Sequence, residues 1–207
     1  MITPPPAAAH AFAHQTYLLK RQFFKLLGAN LRVYDPAGNM VLFVHQKAFK
    51  LREDIRVYAD EAKTQEILTI KARQIIDFSA AYDVTDAISG IKVGALRRKG
   101  WTSILRDAWE VLDANDQPIA KITEDNMLLA LIRRFLVNIV PQGYDMVTLE
   151  PDPNLQGQKI ADFAQRFNPF VYHLEIDFRM DSRGILDRRL GLGAAILLAA
   201  VEGRQSG

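Results

Sequence analysis

The chain has 207 residues, 49% of them apolar and 24% charged, with a formal net charge of +2. That length suits one globular domain burying about 70% of its unfolded surface, and so small a net charge excludes bulk electrostatic binding of nucleic acid. With no cysteine, disulfides, thiolate metal sites, cysteine nucleophiles and S-acylation are excluded, and a reducing compartment is favoured.

The first residues, MITPPPAAAHAFAHQ, lack a basic stretch followed by a continuous apolar run, so they do not read as a secretory signal. Residues 1–15 are expected to form a flexible tail, residues 16–207 a single domain, and the location is expected to be cytoplasmic. Within the tail, His10 and His14 stand four apart. The segment lacks the glutamate of a zinc-protease helix and has no third ligand nearby, so the spacing reads as accidental.

From there the chain turns to short β-rich runs. NLRVYD-PAG-NMVLFVHQK is a hairpin in which Pro36 presets φ and Gly38 permits a left-handed turn residue. The unit returns as DIRVYAD-EAKT-QEILTIKA, AAYDVTD-AIS-GIKVGALRR and DAWEVLD-AND-QPIAKITED. Each runs strand, acidic turn, strand, which predicts successive hairpins of a meander.

Two segments then break the alternation. Leu128, Leu131, Ile132, Phe135, Leu136 and Ile139 form a helical stripe over 127–139 that Pro141 stops. Ile160, Phe163, Ala164 and Phe167 mark a second amphipathic helix. VYHLEIDFR alternates strictly, with Tyr172, Leu174, Ile176 and Phe178 on one face, and so predicts a strand with one dry side. Both His45 and His173 are expected on solvent faces of strands.

The end of the chain is the most apolar part. Leu190 to Val201 carry no charge and no polar side chain. As a helix this run is about 18 Å long, too short for a hydrocarbon core of about 30 Å, and being apolar all round it cannot lie half-exposed. It belongs inside the fold. A buried helix over about 186–202 threaded through a closed sheet supplies a core and removes the edge strands.

FFKLLGANLRVYDPAGNMVLFVHQKAFKLREDIRVYAD, YDVTDAISGIKVGALRRKGWTSILRDAWEVLDANDQPIAKITED and DSRGILDRRLGLGAAILLAAVE together resemble the tubby C-terminal-like superfamily, whose branches include the LURP-one-related proteins and the phospholipid scramblases. The resemblance covers most of 17–202 and implies a mainly β fold, a barrel of about twelve antiparallel strands around the C-terminal helix. Scramblases carry a long Pro-rich arm and a palmitoylated Cys cluster; this chain has one Pro-Pro-Pro and no cysteine, so the LURP-one-related branch fits better.

Candidate chemistry is sparse. No Gly-x-Ser-x-Gly elbow exists, and Gly90, Gly94 and Gly100 form no dinucleotide fingerprint. Asp113 to Glu124 resembles a calcium loop, but Pro118 stands where that loop needs glycine. Asp177, Asp181 and Asp187 match the acidic calcium segment of scramblases in composition, with Arg179 and Arg183 opposing an ion, so a loop and helix cap is the preferred reading. The basic clusters Arg97, Arg98, Lys99 with Trp101, and Arg133 with Arg134, are the candidate phosphate or lipid sites, since tubby proteins bind phosphoinositide head groups through Lys and Arg beside a helix, and arginine presents a planar fork to phosphate. The expectation is a non-enzymatic domain without metal or cofactor that touches an anionic membrane surface or phosphoinositide as a peripheral protein. The alternative is an interaction module with a protein partner and no lipid activity. No nucleic acid is expected in either case.

Overall fold

The structure is a computed structural model that describes residues 10–24, 28–46, 55–73, 81–98, 109–124, 143–149, 157–166, 168 and 171–201. The strands are β1 (Thr16–Phe24), β2 (Gly28–Tyr34), β3 (Met40–Gln46), β4 (Ile55–Tyr58), β5 (Glu66–Ala72), β6 (Ala81–Asp86), β7 (Lys92–Arg98), β8 (Trp109–Leu112), β9 (Pro118–Glu124), β10 (Gly143–Thr148), β11 (Lys159–Arg166) and β12 (Tyr172–Asp177). Helix α1 (Arg188–Val201) follows. Each strand pairs with its sequence neighbours, and β12 returns to β1. The result is the closed antiparallel barrel around a C-terminal helix that the sequence predicts, with no free sheet edge.

The four repeated units are the hairpins β2–β3, β4–β5, β6–β7 and β8–β9. Their shared aspartate ends the incoming strand and accepts hydrogen bonds from the turn it introduces. Asp35 Oδ1 accepts from the Asn39 amide at 2.8 Å, Asp60 from Thr64 at 3.3 Å, and Asp86 from Ile88 and Ser89 at 3.0 and 2.9 Å. Asp113 accepts from Asn115 and Gln117, both at 2.8 Å. The acidic repeat is thus turn chemistry. Gly38, at φ +85°, takes the left-handed position in the first of these turns.

Residues 159–166 correct the expected second helix, because they form β11. Met146 opposes Ala161 but Val147 opposes Lys159, so one extra residue bulges out of β11. The bulge shifts the alternation by one and buries both Ile160 and Ala161. Ile160 and Phe163 then fall three apart on the dry face, which imitates helical spacing. The 127–139 stripe and Phe167 lie outside the described residues.

Inside the barrel, every residue of α1 from Leu190 to Ala200 is buried. Strand residues that point inward, among them Leu19, Val33, Val57, Ile70, Val84 and Ile122, join it in one apolar core. The fit is close at glycines. A Cβ on Gly94 of β7 would stand 2.4 Å from the Leu112 carbonyl and 2.8 Å from Leu190 Cδ2. One on Gly193 would stand 3.3 Å from both Val84 methyls. Outward positions are charged instead, for example Arg32, Arg56, Asp83, Lys121 and Glu175, the reverse of a transmembrane barrel wall. Nor is any helix among the described residues long and apolar enough to cross a membrane.

Residues 10–15, the inner end of the expected tail, pack against the barrel. Ala11 is buried in the core, the Gln15 carbonyl accepts from the Phe178 amide at 2.8 Å, and Gln15 Oε1 accepts from Arg188 at 2.9 Å. Residues 10–15 close the barrel floor beside the entrance of α1.

Burial this tight predicts intolerance to bulk. Gly193→Leu and Ala195→Phe should each destabilise by about 1–3 kcal/mol through overpacking, read as a lower urea midpoint. An unchanged midpoint in both would contradict the buried position of α1.

Candidate functional site

Antiparallel order gives the barrel two unlike ends. At the turn end lie the four Asp turns, the 10–15 segment and the N-terminus of α1. At the rim end β1, β3, β5, β7, β9 and β11 finish, and so does α1. Arg97 and Arg98 close β7 at this rim, but strand alternation sends them to opposite faces. Arg97 points outward, where its Nε and Nη2 donate to Glu110 Oε2 at 2.9 and 2.5 Å. Arg98, in phase with the inward Leu96, lies 5.9 Å over the ring of Trp109. The predicted basic patch is therefore divided. Lys99, Trp101, Arg133 and Arg134 lie outside the described residues.

A cation that sequence reasoning missed stands at the same rim. Arg21 is only 3% exposed and donates from Nη1 to the Ala199 carbonyl at 2.5 Å. It caps the C-terminus of α1, where a positive charge meets the negative end of the helix dipole. Its place two residues after Leu19 on the inward face was readable from the alternation.

The acidic candidates sit at the opposite end, each engaged with an arginine. Asp177 binds Arg179 through a bidentate pair, the Nε contacts being 3.0 Å. Asp181 accepts from Arg188 at 2.9 Å and from the amides of Ile185 and Leu186 at 2.8 and 3.1 Å. Asp187 caps α1 by accepting the Arg189 amide at 2.9 Å and holds the Arg189 side chain as well. Arg189 in turn reaches Asp86 at 2.8 Å. Burial pushes the Asp181 carboxyl up, yet Arg188 and the two amides outweigh it and hold it below the usual carboxylate range. Arginine hydrogen bonds organise this acidic segment.

Among the described residues, one set of three potential ligands does converge: His10, His14 and Asp35, whose ligand atoms lie within 4.8 Å of one another. The third ligand missing from the sequence reading comes from the β2–β3 turn, far from the histidines along the chain. Next to it, an open cleft of about 440 Å³ runs along β12, β1 and β2. Lys20, Arg179, Asp35, Glu175 and Asp177 line it, a mixture of signs with more carboxylates than cations that does not suit phosphate. His173 faces outward on this wall, held below the usual histidine value by partial burial and by Lys20.

A twelve-stranded meander closed on a buried C-terminal helix defines a barrel domain of the tubby-like architecture. Residues 40–182 match the LURP-one-related family, and the chain belongs to that family. No curated protein matches the chain.

Asp181 supports a pH-dependent prediction. A carboxyl held low in the folded state contributes stability that is present above its unfolded value of about 3.9 and is lost as pH falls through the lower folded value. Asp181→Ala leaves Arg188 without its buried partner and should cost about 3 kcal/mol at neutral pH. That cost should shrink steadily below about pH 4, as compared by urea unfolding of both proteins at neutral and acid pH.

Proposed function

We propose that this domain is a non-catalytic, peripheral binder of anionic phospholipid or phosphoinositide head groups at the cytoplasmic face of a membrane, and that it engages them with its rim end. The observation that carries this reading is the placement of cations at that rim. Arg98 lies over Trp109 where β7 ends, and across the same mouth Arg21 of β1, itself buried, caps the C-terminus of α1. In the sequence, 47–54 between β3 and β4 reads KAFKLRED, 99–108 between β7 and β8 reads KGWTSILRDA, and Arg133 and Arg134 fall between β9 and β10. Cations interleaved with large apolar residues suit an interface between head groups and acyl chains.

A filled interior supports the non-catalytic part of the reading. The core is occupied by α1, and the aspartates of the turn end are engaged with backbone amides and arginines. Binding through charge alone is weak per residue. Each Lys or Arg near an anionic surface contributes about 1 kcal/mol, fading beyond a Debye length of about 8 Å in physiological salt.

Liposome co-sedimentation tests the proposal. The wild type should sediment with vesicles containing phosphoinositide or phosphatidylserine, less so at high salt, and little with pure phosphatidylcholine. Arg98→Ala should weaken binding about fivefold, while Arg98→Lys retains most of it. Arg97, Arg98 and Lys99 changed together to Ala should cost at most about 3 kcal/mol. Failure of the wild type to sediment with phosphoinositide vesicles at low salt would overturn the lipid reading in favour of a protein partner.

A further inference from the structure

His10 and His14 belong to the short segment that closes the barrel floor. His10 opens a helical turn in which the Ala13 amide bonds back to the His10 carbonyl at 3.2 Å, so residues four apart face the same way. Their rings meet edge to face with centroids 4.9 Å apart. His14 is fixed by its backbone amide, which donates to the Tyr17 hydroxyl at 3.0 Å, and by the Tyr17 ring, 5.8 Å away. Its Nε2 is shut off from solvent and makes no hydrogen bond. That nitrogen points toward Asp35, whose Oδ2 lies 3.9 Å away.

Asp35 is the anionic member, with a side chain only 1% exposed. Its carboxylate does not swing freely: Asn39 holds Oδ1 through its amide at 2.8 Å and Oδ2 through Nδ2 at 3.0 Å. Hydrogen bonds of this kind orient a carboxylate ligand and still leave Oδ2 a lone pair. Arg188 of the floor is committed to Asp181 and Gln15, and Arg179, which lines the adjoining cleft, to Asp177.

We propose that His10, His14 and Asp35 bind one divalent transition metal ion of the zinc class and staple the N-terminal segment to the β2–β3 turn. Two imidazoles and one carboxylate are a ligand set that zinc uses with its fourth position left to water. Ligand atoms around tetrahedral zinc stand roughly 3.3 Å apart. From the present spacing of up to 4.8 Å, with His14 Nε2 and Asp35 Oδ2 3.9 Å apart, the set closes on a metal by side-chain shifts of roughly 1.5 Å or less. The metal satisfies His14 Nε2, which is buried without a hydrogen bond. This site lies at the opposite end of the barrel from the proposed lipid-binding rim, and neither reading depends on the other.

The test is titration of tag-free, metal-stripped protein with Zn²⁺ by calorimetry, with Co²⁺ absorption as a spectroscopic readout and thermal unfolding in parallel. Saturable one-to-one binding, a tetrahedral cobalt band and a raised Tm are expected. His10→Gln, at an exposed position, and Asp35→Asn, which still accepts the Asn39 amide, leave the fold in place and should each weaken zinc binding at least tenfold. The chain has four histidines, so His45→Gln with His173→Gln is the control and should leave binding unchanged. Absence of heat and of a cobalt band at millimolar metal overturns the proposal, as does binding that survives both His10→Gln and Asp35→Asn.

Discussion

A barrel of twelve strands encloses more space than its own inward side chains can fill, and α1 fills it. The rest of the structure follows from that requirement. The helix must be apolar all round, because strands surround it. It must also be slim where strands come close, which is why Gly193 faces Val84, and Gly94 in β7 faces Leu190. A protein interior is packed to crystal density, so these contacts fix the depth and rotation of the helix.

Polar groups at both mouths hold it there. The N-terminus of α1 begins with two arginines, Arg188 and Arg189, at the end where the helix dipole favours negative charge. The mismatch is offset by carboxylates brought from outside the helix: Asp181 for Arg188, and Asp187 with Asp86 for Arg189. Arg188 also lies 4.9 Å over the ring of Phe178. The arginines thereby anchor the entering chain to the β6–β7 turn and to the loop after β12. At the far mouth Arg21 of β1 meets the Ala199 carbonyl. One helix is thus tied to the first strand, a middle hairpin and the last strand, so closure of the sheet and insertion of the helix support each other.

Much of this was legible. The hairpins announced themselves because each turn begins with an aspartate whose local job is to accept turn amides, and α1 did so because no surface suits a helix without a polar face. What escaped the sequence has physical causes. The β11 bulge changed a period of two into a spacing of three. Arg97 and Arg98 read as one cluster, yet a strand turns neighbours to opposite faces, so one met Glu110 outside and the other Trp109 at the rim. Residues 10–15 looked like tail because what packs them, Phe178, Arg188 and the β2–β3 turn, lies far away in sequence.

The two ends of the barrel consequently have different chemical characters. At the turn end every Asp that closes a hairpin is engaged by amides, and those of the helix entrance also hold arginines; the end is built for rigidity, and a metal held by His10, His14 and Asp35 would tighten it further. At the rim the charges are arranged differently. Arg97 pairs with Glu110 on the outer wall, whereas Arg98 lies over the buried Trp109 and the buried Arg21 caps α1. The buried helix that makes the barrel possible places its own C-terminus at this mouth, and Arg21 meets the negative end of its dipole there.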